Sequence, residues 1–333
     1  MRLPKFDYLA PKEVEEAGDL LSRFGEKAMV VAGGTDLIVR LRQRVVTPRY
    51  VVSLGFLSNL DYIKPSPGGG VSIGALTRVH SLERAESLGS GLDVISLAAG
   101  KLASPQIRNA ATVGGNLCLD TRCWFYNKSH YWRQSRPPCF KAHGDVCHVV
   151  KGGDRCYSLF TADLVPPLIA LDASVKIRTP KGERTMNLQE LYSGKGERPV
   201  NLSPGEIITE VDVPPAGPGK GTVYLKLSFR QAVDFPVVGV AASVSGKAAT
   251  GICENIGIVI GAVSSGPVRA SGAEAVIKGK KLTPELVEMA ADAAVKDVGV
   301  IVPIGTTVEY KRKMVKYFVS QAINEAWKAV AVS

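Results

Sequence analysis

From Leu119 to about Ser158 the chain loses every regular apolar period, and that one stretch holds four of its six cysteines and two of its three tryptophans. Apolar residues recurring at every second position make a strand face, and those recurring at three and four make a helix face. A stretch with neither cannot rely on a core of its own. Regular patterning precedes it and returns at Ala162-Asp163-Leu164-Val165-Pro166-Pro167-Leu168-Ile169-Ala170-Leu171, so residues 119–158 read as an insertion into a larger domain.

The flanking sequence carries both periods. Val14, Ala17, Leu20, Leu21 and Phe24 predict an amphipathic helix after Pro11, and Ala28 to Val31 a strand that runs into Gly33-Gly34-Thr35-Asp36. Further strands are expected at Arg49 to Leu54, Gly70 to Ile73, Val175 to Arg178 and Ile207 to Val213, with a helical stretch over 79–102. Pro214, Pro215, Gly217, Pro218 and Gly219 mark a linker. Beyond it, strands at Thr222 to Phe229, Val237 to Val244 and Ile256 to Val263 precede a helix after Thr283-Pro284. A final helix carries Val315, Phe318, Val319, Ala322, Ala326 and Val330 on one face. The expected class is α/β (α+β), divided into residues 1–57, 58–218 with the insertion inside it, and a smaller C-terminal α/β domain, 219–333.

A +10 formal charge, from 41 Lys and Arg against 31 Asp and Glu, admits nucleic acid, anionic cofactors or an acidic protein partner. The start MRLPKFDYLAP has no apolar signal core, and no uninterrupted run of about 18 apolar residues occurs. The chain is therefore expected to be cytoplasmic and without a membrane span. In that compartment cysteines serve more often as thiols, metal ligands or redox groups than as disulfides. Trp124, Tyr126, Tyr131 and Trp132 lie among cations, as in a base-stacking surface, but they are confined to the insertion, and no nucleic-acid partner is expected.

Two glycine turns, Ala32-Gly33-Gly34-Thr35-Asp36 and Thr112-Val113-Gly114-Gly115-Asn116, could each let backbone N–H groups converge on phosphate oxygens. Neither is a G-x-G-x-x-G or a G-x-x-x-x-G-K-S/T motif, and each alone reads first as an ordinary tight turn. A carboxylate beside a pyrophosphate is repelled, so Asp36 is expected to cap the following helix, leaving Thr35 as the hydroxyl donor. Together with IGALTR (Ile73 to Arg78), PQIRNAATVGGNL (Pro105 to Leu117) and ADLVPPLIALDA (Ala162 to Ala173), the VAGGTDL segment (Val31 to Leu37) resembles the FAD-binding subunit of the molybdenum hydroxylases, the xanthine dehydrogenase and carbon monoxide dehydrogenase group. The resemblance covers nearly the whole chain. It implies a two-subdomain FAD-binding fold of the vanillyl-alcohol-oxidase type, closed by the C-terminal domain. It also implies FAD contacts at Ala32, Gly33, Gly34, Thr35, Asp36, Thr77, Thr112, Gly114, Gly115, Asn116 and Asp163. Ile208 and Lys226 fall where the family lines the isoalloxazine side, and read equally as a strand-core residue and a solvated cation.

The insertion departs from most of that family. Its Cys123, Cys139, Cys147 and Cys156 are spaced C-x15-C-x7-C-x8-C, without the C-x2-C pairs of common zinc modules. Four thiolates suit one 4Fe–4S cubane, one sulfur per iron; the residues alone leave cluster, zinc and free thiols open. Cys118 and Cys253 read as small buried apolar residues. Within the family the insertion resembles the flavin subunits of 4-hydroxybenzoyl-CoA reductases, and that resemblance implies the 4Fe–4S cluster. It further implies a molybdopterin-containing large subunit, a small subunit with two 2Fe–2S clusters, and reduced ferredoxin as electron donor. A conventional FAD subunit passing electrons to NAD or a quinone, and a zinc-stapled nucleic-acid module, are the rival readings. Lys128, Arg133 and Lys141 are the cations expected to steer an acidic ferredoxin.

Overall fold

The computed structural model describes residues 2–89, 91–217, 219–299 and 305–330, and shows three sheets in succession along the chain. The first is parallel, in the order β1 (Asp7–Leu9), β3 (Tyr50–Ser53), β2 (Ala28–Val31), with α1 (Val14–Phe24) packed on it and α2 (Leu37–Arg42) following the first glycine turn. The parallel register of Val31 with Ser53 brings the chain out of β2 at the carboxyl edge of this sheet, where the turn begins.

The second sheet is antiparallel, in the order β4 (Ile63–Pro65), β5 (Val71–Gly74), β8 (Ile207–Val213), β6 (Ser174–Thr179), β7 (Gly182–Asn187). Short helices cover it: α3 (Val79–Glu83), α4 (Asp93–Gly100), α5 (Pro105–Arg108), α6 (Val113–Leu117) and, after the insertion with its short helix α7 (His130–Gln134), α8 (Val165–Ala170). The helical stretch expected over 79–102 is thus broken. Gly89 and Gly91, at φ of 79° and 80°, take the left-handed conformation that a continuous helix excludes.

The third sheet runs β9 (Lys220–Leu227), β10 (Val238–Lys247), β11 (Ile252–Gly261), β12 (Val268–Arg269), with β13 (Lys280–Lys281) also pairing with β11. Side chains alternate across a strand, and β10 uses both faces. Val238, Val240, Ala242 and Val244 enter a core with α9 (Ser271–Ile277), α10 (Pro284–Val298) and α11 (Val308–Val330), whereas Ala241 joins the core of the second sheet beside α8. One sheet therefore closes two cores and holds the C-terminal domain against the rest. Among the described residues no helix is long and apolar enough to cross a membrane.

The insertion leaves and re-enters at one point. Arg122 and Leu159 exchange both backbone hydrogen bonds as an antiparallel bridge, N to O at 2.7 and 2.8 Å. The next residue, Phe160, pairs by backbone with Ala262 and Ser264 just past β11.

Candidate functional site

After β2 the chain turns through Ala32, Gly33, Gly34 and Thr35. Gly34 lies at φ 72°, and an ideal Cβ on Gly33 would stand 1.8 Å from the Ala110 carbonyl oxygen. Glycine is therefore required at both positions, for conformation at one and for close approach at the other. The contact at Ala110 also brings the first turn onto the residues that lead into the second. None of the N–H groups of Ala32, Gly33, Gly34 and Thr35 donates to a protein acceptor among the described residues. The guanidinium Nε atoms of Arg40 and Arg122, buried nearby, are likewise unpartnered. A concave turn of free N–H donors suits a phosphate anion, so the first turn fits the pyrophosphate of FAD.

The second turn is built differently from the expectation. It is the single-turn helix α6, capped by Thr112, whose Oγ1 accepts from Gly115 N at 3.2 Å. Val113 N donates to Thr77 O at 2.9 Å, Gly114 N to Ala75 O at 2.8 Å and Asn116 N to Thr112 O at 2.9 Å. Its amides are thus engaged, and Gly114 serves a close approach instead, since a Cβ there would sit 3.0 Å from that of Ala75. Asn116 Oδ1 accepts from Leu164 N at 3.2 Å, tying this turn to the ADLVPP segment. Thr77 braces the same region: its buried hydroxyl donates to Tyr62 O at 2.8 Å and accepts from Tyr62 N at 3.1 Å.

Asp36 occupies the first position before α2 but makes no capping hydrogen bond, correcting the sequence reading. Its carboxylate pairs instead with Arg122 and, at 3.6 Å, with Arg40. Burial raises its pKa, and the two guanidinium groups oppose that shift. Asp163 and Lys226, named separately from the sequence, meet in a buried ion pair of 3.0 Å between the second sheet's helices and β9. Tyr224 donates to the other oxygen of Asp163 at 2.8 Å, and Lys226 Nζ donates to Lys101 O at 2.8 Å. Burial drives the Asp163 pKa up while Lys226 and Tyr224 hold it down. Lys226 is therefore no solvated cation. Ile208, 5% exposed, lies in the core cluster that contains Ala75 and Val113.

Cys123, Cys139, Cys147 and Cys156 all line one small pocket that is partly open to solvent, with Phe125, Tyr126, Phe140, Lys141 and His148. Among the described residues no group of three His, Cys, Asp or Glu side chains is drawn together closely enough to hold a metal ion. Two of the sulfurs accept backbone N–H groups, Phe125 N on Cys123 and Val150 N on Cys147, both at 3.4 Å, while Cys156 Sγ lies 3.1 Å from Ser158 Oγ. Burial raises the thiol pKa of Cys123 and Cys156, a penalty that metal binding overcomes by displacing the proton. Four thiols on one pocket match the ligand number of a four-thiolate centre, with the sulfurs farther apart than such a centre holds them. Cys253 is buried as expected; Cys118, at the end of α6, keeps accessible surface while burial of its thiol pushes its pKa up to about 12.

Sequence reasoning missed a polar chain beside this pocket. Ser158 Oγ donates to Thr121 Oγ1 at 2.6 Å; Lys141 Nζ donates to Thr121 Oγ1, to Gly196 O at 2.8 Å and to Asp120 Oδ1 at 2.6 Å. Asp120 Oδ2 faces Arg40 at 2.9 Å as an ion pair. Asp120 and Lys141 stood out in the sequence only as members of a charged stretch, and their pairing spans chain separations that no local pattern marks. Lys141 is 9% exposed, and Arg133 donates to the carbonyls of Lys128, Tyr126 and Arg44. Of the three cations expected to face a partner, only Lys128 stands exposed.

Residues 4–216 match the FAD binding domain in molybdopterin dehydrogenase, and residues 223–326 match the CO dehydrogenase flavoprotein C-terminal domain. The 6-hydroxypseudooxynicotine dehydrogenase complex subunit alpha of Paenarthrobacter nicotinovorans is 29% identical over 326 residues, 98% of this chain and 96% of that protein. The aldehyde oxidoreductase FAD-binding subunit PaoB of Escherichia coli K12 is 33% identical over 67% of this chain and 74% of its own length. A solved structure of carbon monoxide dehydrogenase from Hydrogenophaga pseudoflava superposes with a TM-score of 0.81 at 27% identity, covering 99% of each chain. Fold and site together define a flavoprotein with a docked C-terminal α/β domain. More narrowly, the chain belongs to the FAD-binding subunits of the molybdopterin dehydrogenases, the molybdenum hydroxylase family, and is an oxidoreductase subunit.

Proposed function

We propose that this chain is the flavin and iron–sulfur electron-transfer subunit of a heteromeric molybdenum enzyme of the 4-hydroxybenzoyl-CoA reductase type. The observation that carries the proposal is the convergence of Cys123, Cys139, Cys147 and Cys156 on one pocket inside the insertion. They would hold a 4Fe–4S cluster, while the free N–H groups of Gly33, Gly34 and Thr35 hold the FAD pyrophosphate and Thr112, Gly115 and Asn116 of the second turn line its other side, the amides of Gly115 and Asn116 being already engaged. When bound, FAD exchanges one or two electrons and the cluster one at a time. Thr35 orients the phosphates, and the ADLVPP segment with Lys226 closes the C-terminal domain over the site. No acid, base or nucleophile is required of this chain, because the substrate would bind a molybdopterin-containing large subunit. A small subunit with two 2Fe–2S clusters would stand between the two. The overall reaction would use two electrons from reduced ferredoxin and two protons to replace the phenolic hydroxyl with hydrogen and release water.

The test is an anaerobic preparation of the complex carrying Cys139→Ser. Iron bound to this subunit should fall to background, since one iron loses its protein ligand, while the subunit still binds one FAD when flavin is in excess. Unchanged iron would sink the ligand assignment. A second reading, a conventional FAD subunit serving NAD or a quinone with a metal-free insertion, is favoured by the separation of the sulfurs. Wild-type protein with flavin but no iron on this subunit would establish it.

A further inference from the structure

The helix that leaves the first glycine turn, α2, is gripped along its length by the insertion and its stem. At its start Arg122 holds Asp36; in its middle Arg40 holds Asp120, which is held in turn by Lys141; just past its end Arg133 donates to Arg44 O at 2.7 Å and Tyr126 to Val45 O at 3.4 Å. The helix has only six residues, too short to be stable without such support. Its first backbone bond, Ile38 N to Gly34 O at 3.0 Å, begins in the glycine turn itself. At the other end, Lys141 lines the cysteine pocket and shares Thr121 Oγ1 with Ser158, which contacts Cys156. The polar chain is continuous from a cysteine sulfur to the flavin turn, and Thr121, Ser158 and Lys141 within it are buried.

We propose that the chain Lys141, Asp120, Arg40, Asp36 is a brace through which the order of the cysteine pocket sets the affinity of the first glycine turn for FAD. Asp120 and Arg40 are positioning residues: they hold α2, and α2 holds the turn. The iron dependence rests on the cluster reading above; the brace itself rests on the ion pairs. Because coupling between two sites is reciprocal, FAD must in turn slow the loss of iron.

FAD dissociation constants and chelator-driven iron release are measured on the complex containing wild-type subunit, Asp120→Asn, Arg40→Gln and, as an exposed control, Lys128→Gln. The first two substitutions should each weaken FAD about tenfold, the usual scale of coupling between sites, and the control by less than about twofold. Stripping iron should weaken FAD about tenfold in wild type but add little in Asp120→Asn, since both act through one element. Saturating FAD should slow iron release in wild type and not in Asp120→Asn. Equal effects of iron removal in the two proteins, or FAD affinities of both substituted proteins within twofold of wild type, would overturn the brace. Arg40→Gln lies on α2 itself and serves where Asp120→Asn fails to fold. Wild type that takes up no iron would refute the cluster reading, and the brace is then decided by the FAD affinities alone.

Discussion

The Gly33→Ala protein is expected to bind FAD about a hundredfold more weakly than wild type. An ideal Cβ at this position lies 1.8 Å from Ala110 O and 2.6 Å from Ala110 C. Both are backbone atoms with no rotamer to adopt, so the turn and the Ala110-Ala111 segment must separate. Overpacking of this kind costs about 1–3 kcal/mol, and about 3 kcal/mol is a little over a hundredfold in a dissociation constant. The strain falls on the free N–H donors of the first turn. Gly68→Ala is the control, because a Cβ there meets nothing within 4 Å. Gly115→Val should fall between them: its Cβ meets only the capping Thr112 Oγ1, at 2.9 Å. Titration of flavin fluorescence on the three proteins reads the order directly, and full affinity in Gly33→Ala would mean that the first turn does not hold the cofactor.

Asp163→Ala should be the most destabilising of the single substitutions considered. It leaves the Lys226 ammonium, in a side chain 7% exposed, without its carboxylate and strips Tyr224 of its acceptor. Removing one partner of a buried pair costs about 3–5 kcal/mol, and here the loss falls on the joint between the C-terminal sheet and the flavin-binding sheets. Denaturant unfolding should show it as a lower midpoint. The double substitution Asp163→Leu with Lys226→Met separates two roles, since an apolar pair can replace a buried ion pair at little cost. Stability should largely return in the double protein, and FAD affinity that stays low there would give Lys226 a second role at the flavin. Recovery of both would reduce the pair to a fastening between domains.

Much of this architecture was legible in local pattern. Ala28 to Val31 and Ile207 to Val213 were readable as strands residue for residue, the first as an apolar run before a glycine turn, the second as apolar positions interrupted by Glu210 and Asp212 between Gly205 and Pro214. The strand Gly182–Asn187 was not, since it is an edge strand whose polar sequence GERTMN takes its conformation from pairing with Ser174–Thr179. The site divides the same way. Gly33 announces a special backbone, but nothing near it in sequence names Ala110 as the atom it must approach. Asp163 and Lys226 each drew attention through a different motif, and only the packing of the third sheet on α8 makes them partners. Asp36 fails as a cap because Arg122, far along the chain, offers its carboxylate a stronger partner than a backbone N–H.

The bridge between Arg122 and Leu159 gives the cysteine-bearing segment the geometry of a removable cassette. Paired residues in such a bridge sit about 5.5 Å apart, so a lineage could gain or discard everything between them while the host strands keep their places. Charge accounting across that boundary is consistent with such a history. On the host side, Asp36 and Asp120 face Arg40 and Arg122, two carboxylates against two guanidinium groups, already neutral. The cassette adds one buried cation, Lys141, on the side where it also adds four thiols. A four-thiolate centre of the kind proposed would thus meet a counter-charge supplied by the same segment.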